Sequence, residues 1–197
     1  MRHQWYGDGR DLIKWGVLIH LATTWNLRRI IHVAYLRPDA ARPVLESRRE
    51  PIPVPDSVWA HFRDIRDIRR LAVGTGIEIS VLGAPFDAKD RESYTHEVIA
   101  NVRSSAQRPV AVFLDQDTGI AERNVRPKHV TPAEVRDIWG SLNRSDWLVL
   151  YQHSNRRTEW LSTKRAEFAR AIDIAHVETF RARNGARDVA FFCAVRE

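Results

Sequence analysis

Two rhythms of apolar and polar residues alternate along the chain. Residues 110–114 (VAVFL) are apolar without a break. Such a run predicts a strand buried on both faces of a parallel sheet. It stops abruptly at Asp115, Gln116 and Asp117, with Gly119 just beyond. Ile30 to Leu36, Ile77 to Leu82 and Asp146 to Tyr151 read as further strands. His176 to Arg181 and Asp188 to Val195 are late strands separated by Asn184-Gly185, a hairpin turn signal.

Between the strands the apolar period becomes helical. Residues 5–25 predict a helix with Asp8 as N-cap and Asp11 as a weaker capping-box partner. Its inward stripe is Leu12, Trp15, Ile19 and Ala22, with Leu18 beside it. Val58, Phe62, Ile65, Ile68 and Ala72 mark a second helix, and Tyr94, Val98, Ile99 and Val102 a third. Thr131-Pro132-Ala133-Glu134 is a helix start: Thr131 caps, Pro132 takes the first helical position and Glu134 completes the capping box. Trp160, Leu161, Phe168 and Ile172 mark the last helix. Four prolines between residues 43 and 55 make residues 42–57 an extended surface loop.

Strands alternating with helices of this length predict a three-layer, Rossmann-like α/β fold in one domain over residues 1–197. Its sheet would be mostly parallel, with a C-terminal antiparallel hairpin. That closing pair resembles the end of class I methyltransferase-like sheets. Ligands of open α/β sheets bind outside the carboxyl ends of the strands. Asp39, then Asp115 and Asp117, then Gln152 and His153 would share that rim. No G-x-G-x-x-G follows the first strand, so the dinucleotide fingerprint is absent.

Composition narrows the partners. The 197 residues carry a net charge of +6, and arginine is spread along the chain. Such charge favours an anionic partner, nucleic acid or a nucleotide. The single cysteine, Cys193, sits in an apolar run, which excludes an intrachain disulfide or a cysteine-based zinc site. Neither a signal-peptide pattern nor a bilayer-length apolar run is visible, so a cytoplasmic protein is expected. The seven tryptophans leave room for a homo-oligomer, although most are expected in the core.

Several segments together resemble an uncharacterised bacterial family. That family has a helix opening Y-x-G-D with a following acid and Lys. It also has a strand ending Leu-Asp-Pro-Asp, a strand ending Tyr-Gln-His with a nearby Arg, and a last strand like VAFF. The matching residues are Tyr6-Gly7-Asp8 with Asp11 and Lys14, Leu114 to Asp117 with Gly119, Tyr151-Gln152-His153 with Arg156, and Val189 to Phe192. Gln116 stands where the family has Pro, and the Glu that often follows the family's Leu-Asp-Pro-Asp after two residues comes later here, as Glu122. The Asp115 strand end is also similar to that of methyltransferase-like proteins, including partners of three-cysteine-motif systems.

The candidate chemistry follows. Asp115, Asp117, His153 and Lys14 are the expected catalytic set. Asp8, Asp39, Gln152, Arg156 and Lys128 are the expected substrate contacts. Residues two apart in an extended segment point the same way, so Asp115 and Asp117 are expected to share one Mg²⁺ or Mn²⁺. His153 would serve as base or acid, and Lys14 and Arg156 would neutralise phosphate. The leading expectation is a metal-dependent, nuclease-like phosphodiester hydrolase acting on nucleic acid or nucleotides. The alternatives are an S-adenosylmethionine (SAM) methyltransferase-like protein, active or degenerate, and a non-catalytic binding subunit of a bacterial defence or mobile-element system.

Overall fold

The computed structural model describes residues 7, 9–37, 44–45, 52–53, 55, 65–121, 123–155, 157–182 and 186–197. Asp8, Asp39 and Arg156 lie outside them, as do Val58, Phe62, Glu122 and the Asn184-Gly185 turn. Helix α1 spans Gly9–Thr24 and leads into β1, Arg29–Val33. A 3-10 segment, Ile65–Arg70, continues as the short α2, Leu71–Thr75, before β2, Glu78–Leu82. Then come α3 (Arg91–Arg103), β3 (Val110–Leu114), α4 (Pro132–Gly140), β4 (Trp147–His153) and α5 (Trp160–Ile172). Strands β5, Glu178–Phe180, and β6, Val189–Val195, follow.

These strands form a six-stranded sheet in the order β2-β1-β3-β4-β6-β5. The β2-β1, β1-β3 and β3-β4 pairs are parallel. Strand β6 is antiparallel to both β4 and β5, so it runs alone against the rest. The fold is the expected one. A parallel sheet needs cover on both faces, because its strands are apolar on both. Helices α3, α4 and α5 supply one cover with Val98, Val102, Val135, Ile138, Phe168 and Ile172. Helix α1 supplies much of the other with Trp15, Leu18, Leu21 and Ala22, joined by Ile68. Every residue of β3 is buried, and each full burial of a large apolar side chain contributes about 1.5–3 kcal/mol. At the other end of β3, the buried Asp146 carboxylate accepts from the Val110 and Asn143 amides (2.9 and 2.7 Å) and pairs with Arg108.

Local chemistry decided several boundaries. Helix α4 starts at the Thr131 capping box, with Pro132 in its first turn. Gly76, with φ of 70°, closes α2. The inward face of α1 differs from the expected stripe: Leu12 is 75% exposed, while Asp11 and Lys14 are buried. The buried side of this helix begins with an ion pair, so an apolar count is rotated off it.

Strand order sets where a ligand would lie. From β1 the chain steps outward to β2, then crosses back to β3 and continues the other way. The switch point therefore falls between the carboxyl ends of β1 and β3.

Candidate functional site

Asp115 leaves β3 still paired to β1: its amide donates to the Val33 carbonyl at 3.0 Å. Phe113 and Asp115, two residues apart, share the α1 face of the sheet. His32 pairs in register with Phe113, which sets its ring beside Asp115, with Nε2 3.0 Å from Oδ2. Lys14 on α1 lies 2.9 Å from Oδ1 and 3.1 Å from Oδ2 of Asp115. The same ammonium meets Asp11 Oδ1 at 3.1 Å and lies over the Tyr151 ring, 4.7 Å from its centroid. Phe113 stacks on the His32 imidazole and Trp15 meets it edge-on.

All four polar groups, Asp11, Lys14, His32 and Asp115, are buried. Burial alone would lift the Asp115 carboxyl, but Lys14 and the His32 hydrogen bond overcome this and hold it well below the ordinary carboxylate range. Burial alone would lower the Lys14 ammonium, but Asp115 and Asp11 hold it above its usual value. Burial also raises Asp11, helped by Asp115 and opposed by Lys14. Asp115 is thus an ionised group whose oxygens already have partners.

Asp117 takes a different partner. Its carboxylate pairs with Arg37, which follows β1. The extended strand ends at Leu114 and the chain bends at residues 117–118, so strand alternation does not carry through to Asp117. Between the two acids Gln116 is fully buried and donates to the Tyr151 carbonyl at 2.8 Å. The expected sharing of one cation by Asp115 and Asp117 is therefore corrected: each carboxylate meets its own basic side chain. A divalent ion at Asp115 would have to displace Lys14, so this donor set does not fit Mg²⁺ or Mn²⁺. Among the described residues no three His, Cys, Asp or Glu side chains form a metal-binding group.

Gln152 and His153 end β4 with different duties. Gln152 is buried, and its side chain fastens the loop after β3: Oε1 accepts from Ile120 N at 2.9 Å, and Nε2 donates to Thr118 O at 2.8 Å. Gly119 has φ of 96°, and a Cβ there would run into the Gln152 side-chain amide. Both features favour glycine, since any side chain would strain the backbone and displace that amide. The imidazole of His153 is half-buried, 3.2 Å from Asp188, and Asp188 also binds Arg10 at 2.8 Å. Burial lowers the His153 pKa, with Asp188 opposing. Lys128 is half-buried and sits on the far side of the same loop, where its carbonyl accepts from Thr118.

His32, Arg37, Asp188 and the buried role of Asp11 were not legible as site features. For His32 a signal existed: it is the polar interruption of an otherwise apolar strand. Arg37 and Asp188 gave none, because their partners are far away in sequence.

No protein-family model and no curated protein sequence matches the chain. The solved structure of a DUF574 family protein from Streptomyces avermitilis is similar over 92% of this chain and 80% of that one, at 11% identity and a TM-score of 0.40.

Proposed function

We propose that the chain is a methyltransferase-like protein that binds a nucleoside-type ligand, SAM in the first instance, at the switch point between β1 and β3. The observation that carries this is the single reversed strand: β6 runs between β4 and β5 against an otherwise parallel sheet. Class I methyltransferase-like sheets end in this way. Fold does not fix function, so the groups at the crevice matter. The turn leaving β1 is made by Tyr35 at φ of 45°, a left-handed conformation that a bulky residue adopts only under constraint. Its ring is fully buried against Phe86 and Tyr94, and its amide donates to the Tyr94 hydroxyl at 3.1 Å. A sharp turn of this kind lets a ligand approach backbone without a glycine-rich loop. Arg37 and Asp117 are the polar pair beside it, suited to orienting hydroxyl and carboxylate groups. Bound SAM would supply an activated methyl group.

Calorimetry with SAM and with S-adenosylhomocysteine tests this reading. Saturable binding is expected, weakened about tenfold or more in Asp117→Ala by loss of a charged hydrogen-bond partner. Absence of heat from both ligands at millimolar concentration, with the melting curve intact, rejects it.

One observation favours a second reading, a phosphodiester hydrolase. The half-buried imidazole of His153 is oriented by Asp188 at 3.2 Å, an arrangement suited to proton transfer. Plasmid and oligonucleotide substrates left intact with every divalent metal would remove it.

A further inference from the structure

Beside Gln152 the loop after β3 borders an open cleft of about 350 Å³ on the α5 side of the edge. Arg123, Arg126, Lys128, His129 and Lys164 line it, with Asn155 and His153 at its rim. No Asp or Glu is among its described lining residues. Arg123 and Arg126 are exposed and Lys128 is half-buried, and among the described residues no carboxylate pairs with them. Lys164 reaches in from α5, held by Glu167 at 2.6 Å and by the Ile120 carbonyl at 2.9 Å.

Main-chain and side-chain hydrogen bonds brace the walls. Residues Gly119–Ile120 pair with His129–Val130 in parallel. Thr118 N and Oγ1 both donate to the Lys128 carbonyl. Gln152 locks the near end of the loop, and Arg91 holds the His129 carbonyl at the far end. The amide of Arg126 donates to His129 Nδ1 at 3.1 Å, which leaves Nε2–H as a donor on the neutral ring. Burial first, then Lys128, Lys164 and Arg126, lower that imidazole to about 4. Concentrated positive charge on a fixed frame, with added neutral donors, is the chemistry of phosphate recognition.

We infer that this cavity binds phosphate groups carried by a nucleotide or by single-stranded nucleic acid. This goes beyond the SAM reading, because SAM carries no phosphate and its proposed site is at the β1–β3 crevice. The test compares two charge-reversed proteins of equal net charge. Arg123→Glu with Arg126→Glu alters the cavity, and Arg103→Glu with Arg136→Glu alters exposed residues of α3 and α4. A dye-labelled single-stranded oligonucleotide is followed by anisotropy, and ATP and inorganic phosphate by calorimetry. The cavity pair is expected to weaken binding about tenfold or more and to flatten the salt dependence, while the control pair stays within about twofold. Binding of ATP alone assigns a nucleotide, and binding of the oligonucleotide, with or without ATP, assigns nucleic acid; either supports the proposal. Equal weakening by both pairs, or no binding of oligonucleotide or ATP to the wild type, overturns it. SAM binding should survive the cavity pair, so failure at either site is read separately.

Discussion

The carboxyl end of β3 divides into two regions with opposite electrostatic character. Toward α1, Lys14 stands between Asp11 and Asp115, and His32 completes the set, all of it buried. Toward α5, Arg123, Arg126 and Lys128 face a cavity with no acid among its described lining residues. Asp115 and the loop cations follow one another in the chain after β3, but the first region is completed by Asp11 and Lys14 from α1 and His32 from β1. The first has neutralised itself, and buried charges that do so fix a geometry. The second has no carboxylate among its described lining residues to neutralise Arg123, Arg126 and Lys128. Charge alone therefore does not mark a site; uncompensated charge on a rigid frame does.

The largest expected effect is in the buried region. Asp115→Ala leaves the Lys14 ammonium without its closest partner in the core. A loss of about 3–5 kcal/mol is expected in urea denaturation. The wild type should also have an acid limb that the variant lacks. Asp115 is held below its ordinary value, so its contribution is present above the unfolded pKa of about 3.9 and disappears as pH falls further. Asp11 acts in the opposite sense, because its raised pKa makes the folded state bind the proton more tightly. A variant losing less than about 1 kcal/mol, with an unchanged acid limb, would show the cluster to be inert.

An intermediate effect is expected where the two regions meet. Gly119→Ala forces a side chain into a left-handed backbone and against Gln152. A loss of at least about 1 kcal/mol is expected. Combined with Gln152→Ala, the total should fall short of the sum of the single losses, because the two residues touch. Additive losses would separate the loop from its anchor.

Arg126→Ala should do least. The residue is exposed, and stability within about 0.5 kcal/mol of wild type is expected by thermal melting. A larger loss would make the cavity cations structural and erase the contrast.

What was legible in the sequence was local. Val110 to Leu114 announced a doubly buried strand because nothing interrupts its apolar run, and Thr131 to Glu134 announced a helix start because cap and box lie within one turn. The apolar stripe does not reveal the inward face of α1, because burial there begins with Asp11 and Lys14, while Leu12 is exposed. Strand alternation gives Asp115 and Asp117 a common ligand, but the strand ends at Leu114 and the chain bends at residues 117–118. Their partners, Lys14 and Arg37, lie 101 and 80 positions away in sequence, and only the packing of α1 on the sheet and the register of β1 on β3 bring them together.

The reversed strand also has a consequence for synthesis. Strand β4 pairs with β6 over seven residues, from His153 with Val189 to Trp147 with Val195. Until residues 189–195 emerge from the ribosome, that side of β4 is a row of unpaired amides and carbonyls open to any passing strand. The nascent protein is therefore vulnerable to off-pathway association until that segment has been made, and β5, which among the described strands pairs only with β6, must wait with it.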